Sequence, residues 1–236
     1  MLTASFHRWL DPAFSALLGI AFTTAAAIAA GRNLGMTIGG LFSAAVVVPM
    51  MAGGSNGIRR RIILALSLTA GVAIVWLTLI GSSAATVNEW VGITFVLAAF
   101  SVAVAGLEFF LSKLTPSRSI VGQALTVVFA LAWLSWPLWG NGVAAAWIVP
   151  IHPPLVLNGI LVFTQPWTEQ TIAYHLTNLD QDVPIRLAAT PLPCVLTHLA
   201  AATVFFTAGY GVCRLLAGTR SGAKTRAAKG VDIGPM

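Results

Sequence analysis

The sequence predicts an all-α fold: a polytopic membrane helix bundle of six transmembrane helices, with an interfacial or re-entrant element on the outer face before the last helix. Three observations carry that prediction. The 236 residues are 57% hydrophobic and 8% charged, at a mean hydropathy of +0.86, whereas soluble domains run near ~25% charged. So few polar residues cannot coat a water-facing exterior, and lipid must solvate most of it. Six stretches, at 13–30, 34–52, 62–81, 91–111, 120–139 and 192–213, are apolar over about the 20 residues that a bilayer core requires. Finally, eleven of the thirteen Lys and Arg fall before the first stretch, between the second and third, between the fourth and fifth, or after the sixth. These features exclude an ordinary soluble enzyme, a disordered chain and a disulfide scaffold. The net charge of +6 reads as an orientation signal and not as a nucleic-acid surface.

In the first stretch, His7 and Arg8 precede a run ending in Ala25, Ala26, Ala27, Ile28 and Ala29, which offers small-residue sites of the kind a signal peptidase cuts. The length of the run and Asp11, placed where a signal peptide prefers cations, favour a retained span. Gly31, Gly35 and Gly39 recur every fourth residue in the second stretch, which puts small residues on one helix face and lets the Ala-rich end of the first helix approach closely. Short connections between the first five stretches make consecutive helices antiparallel neighbours. With cationic loops cytoplasmic, both termini lie inside, and the loop 140–191 lies outside with Arg186. The predicted organisation is a single transmembrane domain over 1–217 and a mobile basic cytoplasmic tail over 218–236.

Within the outer loop, 143–163 is apolar enough to mimic a seventh span but contains Pro150, His152, Pro153, Pro154 and Asn158. Three prolines break the hydrogen-bond ladder that lipid demands, and a seventh crossing would carry the last five cations outside. The segment therefore reads as re-entrant or interfacial, serving either as a site or as a plug for the bundle's outer mouth. The polar run 165–184 follows it. Seven of the eight tryptophans fall on the outer half, as an aromatic belt would place them.

Chemistry-bearing residues are sparse. Glu108, near the cytoplasmic end of the fourth span, is an intramembrane carboxylate that either pairs with Lys113 or serves a proton or substrate. The outer face gathers His152, His175, Asp180, Asp182 and Glu89. Cys194 and His198, four residues apart, share a helix face and form a candidate metal pair for haem iron or a transition metal. Cys213 lies roughly 28 Å along the same helix from Cys194 and is out of bonding range. No CxxC, HExxH, CxxCH or G-x-x-x-x-G-K-[ST] is present.

His152-Pro153-Pro154-Leu155 resembles a His-Pro-Pro element of the large haem-handling proteins of cytochrome c maturation, although their tryptophan-rich run ending in Trp-Asp is replaced here by Trp136-Pro137-Leu138-Trp139-Gly140. In outline, six spans with both ends cytoplasmic and an ordered outer element resemble the membrane subunit of an ABC-2-type exporter. That resemblance is one of topology. It implies a transport-related permease subunit of a bacterial-type inner membrane, without its own ATPase, whose partners are the lipid bilayer and an ATPase or other membrane subunits. The two alternatives are an outer-face metal- or haem-handling protein of redox or maturation type, and a non-catalytic assembly subunit of a membrane complex.

Overall fold

The structure, a computed structural model, describes residues 2–30, 32–53, 57–82, 85–115, 119–136, 145–161 and 190–229. These residues are helical, with turns and no strand. The helices are α1 (Leu2–Ala30), α2 (Arg32–Ala52), α3 (Ile58–Gly81), α4 (Val87–Leu114), α5 (Ser119–Leu134), α6 (Pro153–Ile160) and α7 (Leu192–Lys229); one helical turn (Ala145–Ile148) and a 3-10 turn (Val149–Ile151) lead into α6. Asp11–Ala30, Gly35–Ala52, Ile58–Gly81, Val87–Leu114 and Leu192–Leu215 are long and apolar enough to cross a membrane. The chain is thus a helical bundle with the character of a multi-pass integral membrane protein.

Of the remaining expected span, 120–139, helix α5 covers the part to Leu134, and 137–139 lie outside the described residues. α5 covers 16 residues, roughly 24 Å of rise against a hydrocarbon core of ~30 Å. α7 differs in the other direction: the helix continues to Lys229, so the tail expected from Gly218 begins as helix. Ala, Lys and Arg, which dominate that stretch, are strong helix formers.

α4 is the hub. It packs against α2, α3, α5, α6 and α7, while α1 packs on α2 and α3 at the periphery. The core between α2, α3 and α4 holds Leu41, Val48, Leu64, Leu68, Trp76, Leu97 and Phe100. α1 and α7 turn large apolar side chains outward, among them Phe14, Leu17, Leu196 and Val204, as helices solvated by lipid do.

Small residues set the closest approaches. A Cβ at Gly35 would collide with the Ala26 carbonyl oxygen of α1, and one at Gly71 would collide with the Ala16 carbonyl oxygen. Gly39 faces the Ala26 side chain and the Thr23 backbone. Gly31 lies outside the described residues. Gly40, on a different face of α2, makes room for the Trp76 ring. That indole is fully buried and donates from Nε1 to the Met36 carbonyl at 3.1 Å. Trp76 and Trp136 are buried and pack within the bundle, whereas Trp147 is 83% exposed.

At the opposite end of α3 from Trp76, the helices are tied by charge. Arg60 pairs with Asp11 of α1 at the surface. Arg61 donates from Nε to Glu108 Oε2 at 2.6 Å, with both side chains buried. Lys113, the partner expected for Glu108, instead lies over the Phe109 ring, as does the Arg61 guanidinium.

Candidate functional site

One end of the bundle is filled by the segment 145–161. Its prolines determine its shape: Pro153 and Pro154 occupy the first positions of α6, where a missing N–H costs nothing, and a single helical turn and a 3-10 turn precede them. Every residue from His152 to Gly159 is buried. α6 packs against α2 and α4, and the 3-10 turn packs against α7. The irregular backbone thus sits within protein, the condition under which lipid-depth breaks are tolerated.

Two side-chain bonds help to fasten this element. His152 donates from Nε2 to the Trp133 carbonyl at 2.9 Å. Trp133 stands four residues before Pro137, so its carbonyl receives no i+4 donor along the helix, and His152 fills the vacancy. The imidazole is held edge-on to Trp133 at 5.2 Å and tilted to Trp136 at 5.8 Å between centroids. Its Nδ1 is buried with no hydrogen-bond partner. Burial pushes the His152 pKa down from the ordinary 6.5 to about 4, partly offset by the Trp133 carbonyl and reinforced by the nearby His198. The second fastening is the Cys194 thiol of α7, which donates to the Ile151 carbonyl at 3.3 Å.

His198 sits one turn deeper on α7, 7% exposed. Its Nδ1 lies 2.8 Å from the Cys194 carbonyl and 3.6 Å from Cys194 Sγ. A carbonyl only accepts, so Nδ1 carries the proton, and Nε2 of the neutral ring is left as an acceptor. The ring is edge-on to Phe100 at 5.7 Å and tilted to Trp133 at 6.4 Å. It borders a cleft of about 290 Å³ on the face of α4 between α5 and α7, lined otherwise almost wholly by apolar side chains such as Phe129, Ala130 and Phe205.

The structure therefore brings together His152, Cys194 and His198 from the sequence-derived candidates. Among the described residues no three His, Cys, Asp or Glu side chains converge as metal ligands would. Glu89 forms a capping box at the start of α4: its carboxylate accepts from the Thr86 N–H at 2.6 Å, and the Thr86 hydroxyl accepts from the Glu89 N–H at 3.3 Å. His175, Asp180 and Asp182 lie outside the described residues. Sequence reasoning missed Arg61 as the partner of Glu108 and Trp133 as the residue that both holds His152 and lines the cleft; the position of Pro137 relative to Trp133 was the available signal for the latter.

Fold and site together define a helical integral membrane protein with a proline-shaped plug at one mouth and an apolar lateral cleft beneath it. No family model, no curated protein and no solved structure matches the chain.

Proposed function

We propose that the protein is a transport-related permease subunit, ABC-2-like in topology, that resides in the inner (cytoplasmic) membrane and works with an ATPase on a separate chain. It moves or presents a small or lipidic solute, with the 145–161 element as its outer gate. One observation supports this reading above the others: gate and cleft share residues. Trp133 holds His152 by its carbonyl and borders the cleft by its ring, Ile151 accepts the Cys194 thiol and also lines the cleft, and His198 lies between them. Release of the gate would change the shape of the cleft at its outer end.

The test is mild-detergent purification of the full chain from its native membrane, followed by native mass spectrometry and ATP hydrolysis assays. A stoichiometric nucleotide-hydrolysing partner is the expected result. A larger complex without an ATPase supports the assembly role and overturns the permease reading.

The separation of 3.6 Å between Cys194 Sγ and His198 Nδ1 favours one second reading, a metal- or haem-handling protein, because it is close to the bite that two ligands of one tetrahedral ion would span. Against it, the thiol is engaged as a donor to Ile151. Stoichiometric metal or a Soret band in the same preparation would establish that reading.

A further inference from the structure

The cleft between α5 and α7 has an order of polarity along its length. His198 lies six residues into α7, near the outer end of the cleft beside Ile151, and Phe205 lies about 10 Å deeper along the helix axis, with Phe129 facing the same space from α5. A polar group at the outer end and an apolar floor toward the bilayer centre match a lipid of the outer leaflet standing head outward. The chemistry of that head is restricted. Among the described residues no Lys or Arg lines the cleft, and none of them would supply a counter-charge to a desolvated anionic phosphate. His198 Nδ1 is committed to the Cys194 carbonyl, which leaves Nε2 as an acceptor. The matching head is therefore neutral and donates one hydrogen bond. Phe100 and Trp133 flank the imidazole, and with Phe129 and Phe205 below them they favour an aromatic ring over a plain chain.

We infer that the cleft binds a quinol-type lipid, an aromatic hydroxyl head on an apolar tail, with the hydroxyl donating to His198 Nε2. This rests on the lipidic-solute reading above and names its substrate class.

The discriminating probe is a benzoquinol with a short alkyl tail, kept reduced under argon, set against its own quinone. The two have nearly the same shape, but the quinone has no proton to donate and presents a carbonyl lone pair to Nε2. Equilibrium dialysis of the full chain in lipid nanodiscs should show the quinol bound about tenfold more tightly than the quinone, because a site built to accept a hydroxyl proton rejects an analogue lacking it. His198→Phe should still bind the quinone and bring the ratio to about one. Ala201→Phe, which adds bulk from the partly exposed side of α7, should weaken both ligands with the detergent melting temperature unchanged, and this variant keeps the test informative if His198→Phe fails to fold. Equal affinity for quinol and quinone in the unaltered protein overturns the proposal, as does a quinol preference that survives His198→Phe. Competition by decanol as effective as by the quinol overturns the aromatic part of the head. Failure here with an ATPase still co-purifying removes the ligand class alone. Lack of an ATPase removes the permease reading and leaves the dialysis result standing.

Discussion

His152 couples the 145–161 element to pH through a single ring nitrogen. Its Nε2 proton is fixed by the Trp133 carbonyl, so any added proton must go to Nδ1, which is buried without a partner. The unfolded imidazole titrates near 6.5 and the folded one near 4; between those values the unfolded state binds more protons. This contribution to stability is complete above pH 6.5 and is lost as pH falls toward 4, at a slope on the order of 1 kcal/mol per pH unit. The groups facing the ring are Trp133, Trp136 and, by its charge, His198. Detergent melting curves at pH 7.5 and pH 5 should separate, and His152→Gln, which can still donate to the carbonyl, should narrow that separation. An unchanged difference would mean that His152 is not the titrating group.

At the other end of the bundle, Glu108 and Arg61 form a buried pair. Removal of one member of such a pair leaves a charge in low dielectric and costs about 3–5 kcal/mol, whereas replacement of both by apolar residues of similar volume is often neutral. Glu108→Ala should therefore destabilise severely, and the Arg61→Met/Glu108→Met double variant should melt closer to the unaltered protein than either single variant. Additive losses in a double-mutant cycle would show that the two act independently.

At the scale of elements, the α1–α2 and α1–α3 contacts depend on the absence of side chains. Gly35→Ala drives a Cβ into the Ala26 carbonyl, a backbone atom that cannot rotate away. Overpacking of this kind costs about 1–3 kcal/mol. Gly211→Ala, on α7, meets nothing within 4 Å and should be neutral or slightly stabilising, since Ala is the better helix former. Expression level and melting temperature of the two variants check the contrast, and equal behaviour would remove the packing argument. The 145–161 element obeys a different rule. Its stability comes from being enclosed, because its own ladder is cut by Pro150, Pro153 and Pro154.

At the scale of the whole molecule, the testable property is sidedness. Two of the three clustered arginines are engaged in ion pairs that tie α3 to α1 and to α4, so the cationic connections brace the bundle as well as orient it. The positive-inside rule predicts that both termini are cytoplasmic and that 140–191 is outside. In a variant lacking Cys194 and Cys213, single cysteines at Gln170 and Ser221 should be labelled from opposite sides by a membrane-impermeant maleimide. Labelling of both from outside would overturn the orientation.

Composition and period by themselves determined that this is a lipid-solvated helical protein, where most helices begin and end, and that 143–163 cannot stand alone in lipid. These are local properties: apolar length, proline's missing donor and glycine's missing Cβ are set by residue type before any tertiary contact forms. His152, Cys194 and His198 were legible as candidates because imidazole and thiol are rare in such a chain. Their partners were not, because pairing depends on which helix ends meet. That Glu108 takes Arg61 at 2.6 Å while Lys113 turns to an aromatic ring follows from the packing of α3 on α4. That His152 reaches the carbonyl freed by Pro137 follows from how α5 and the outer element meet. The cleft is likewise a tertiary fact: α5 and α7 both pack on α4 and leave a space between them, and no periodicity within either helix encodes that gap.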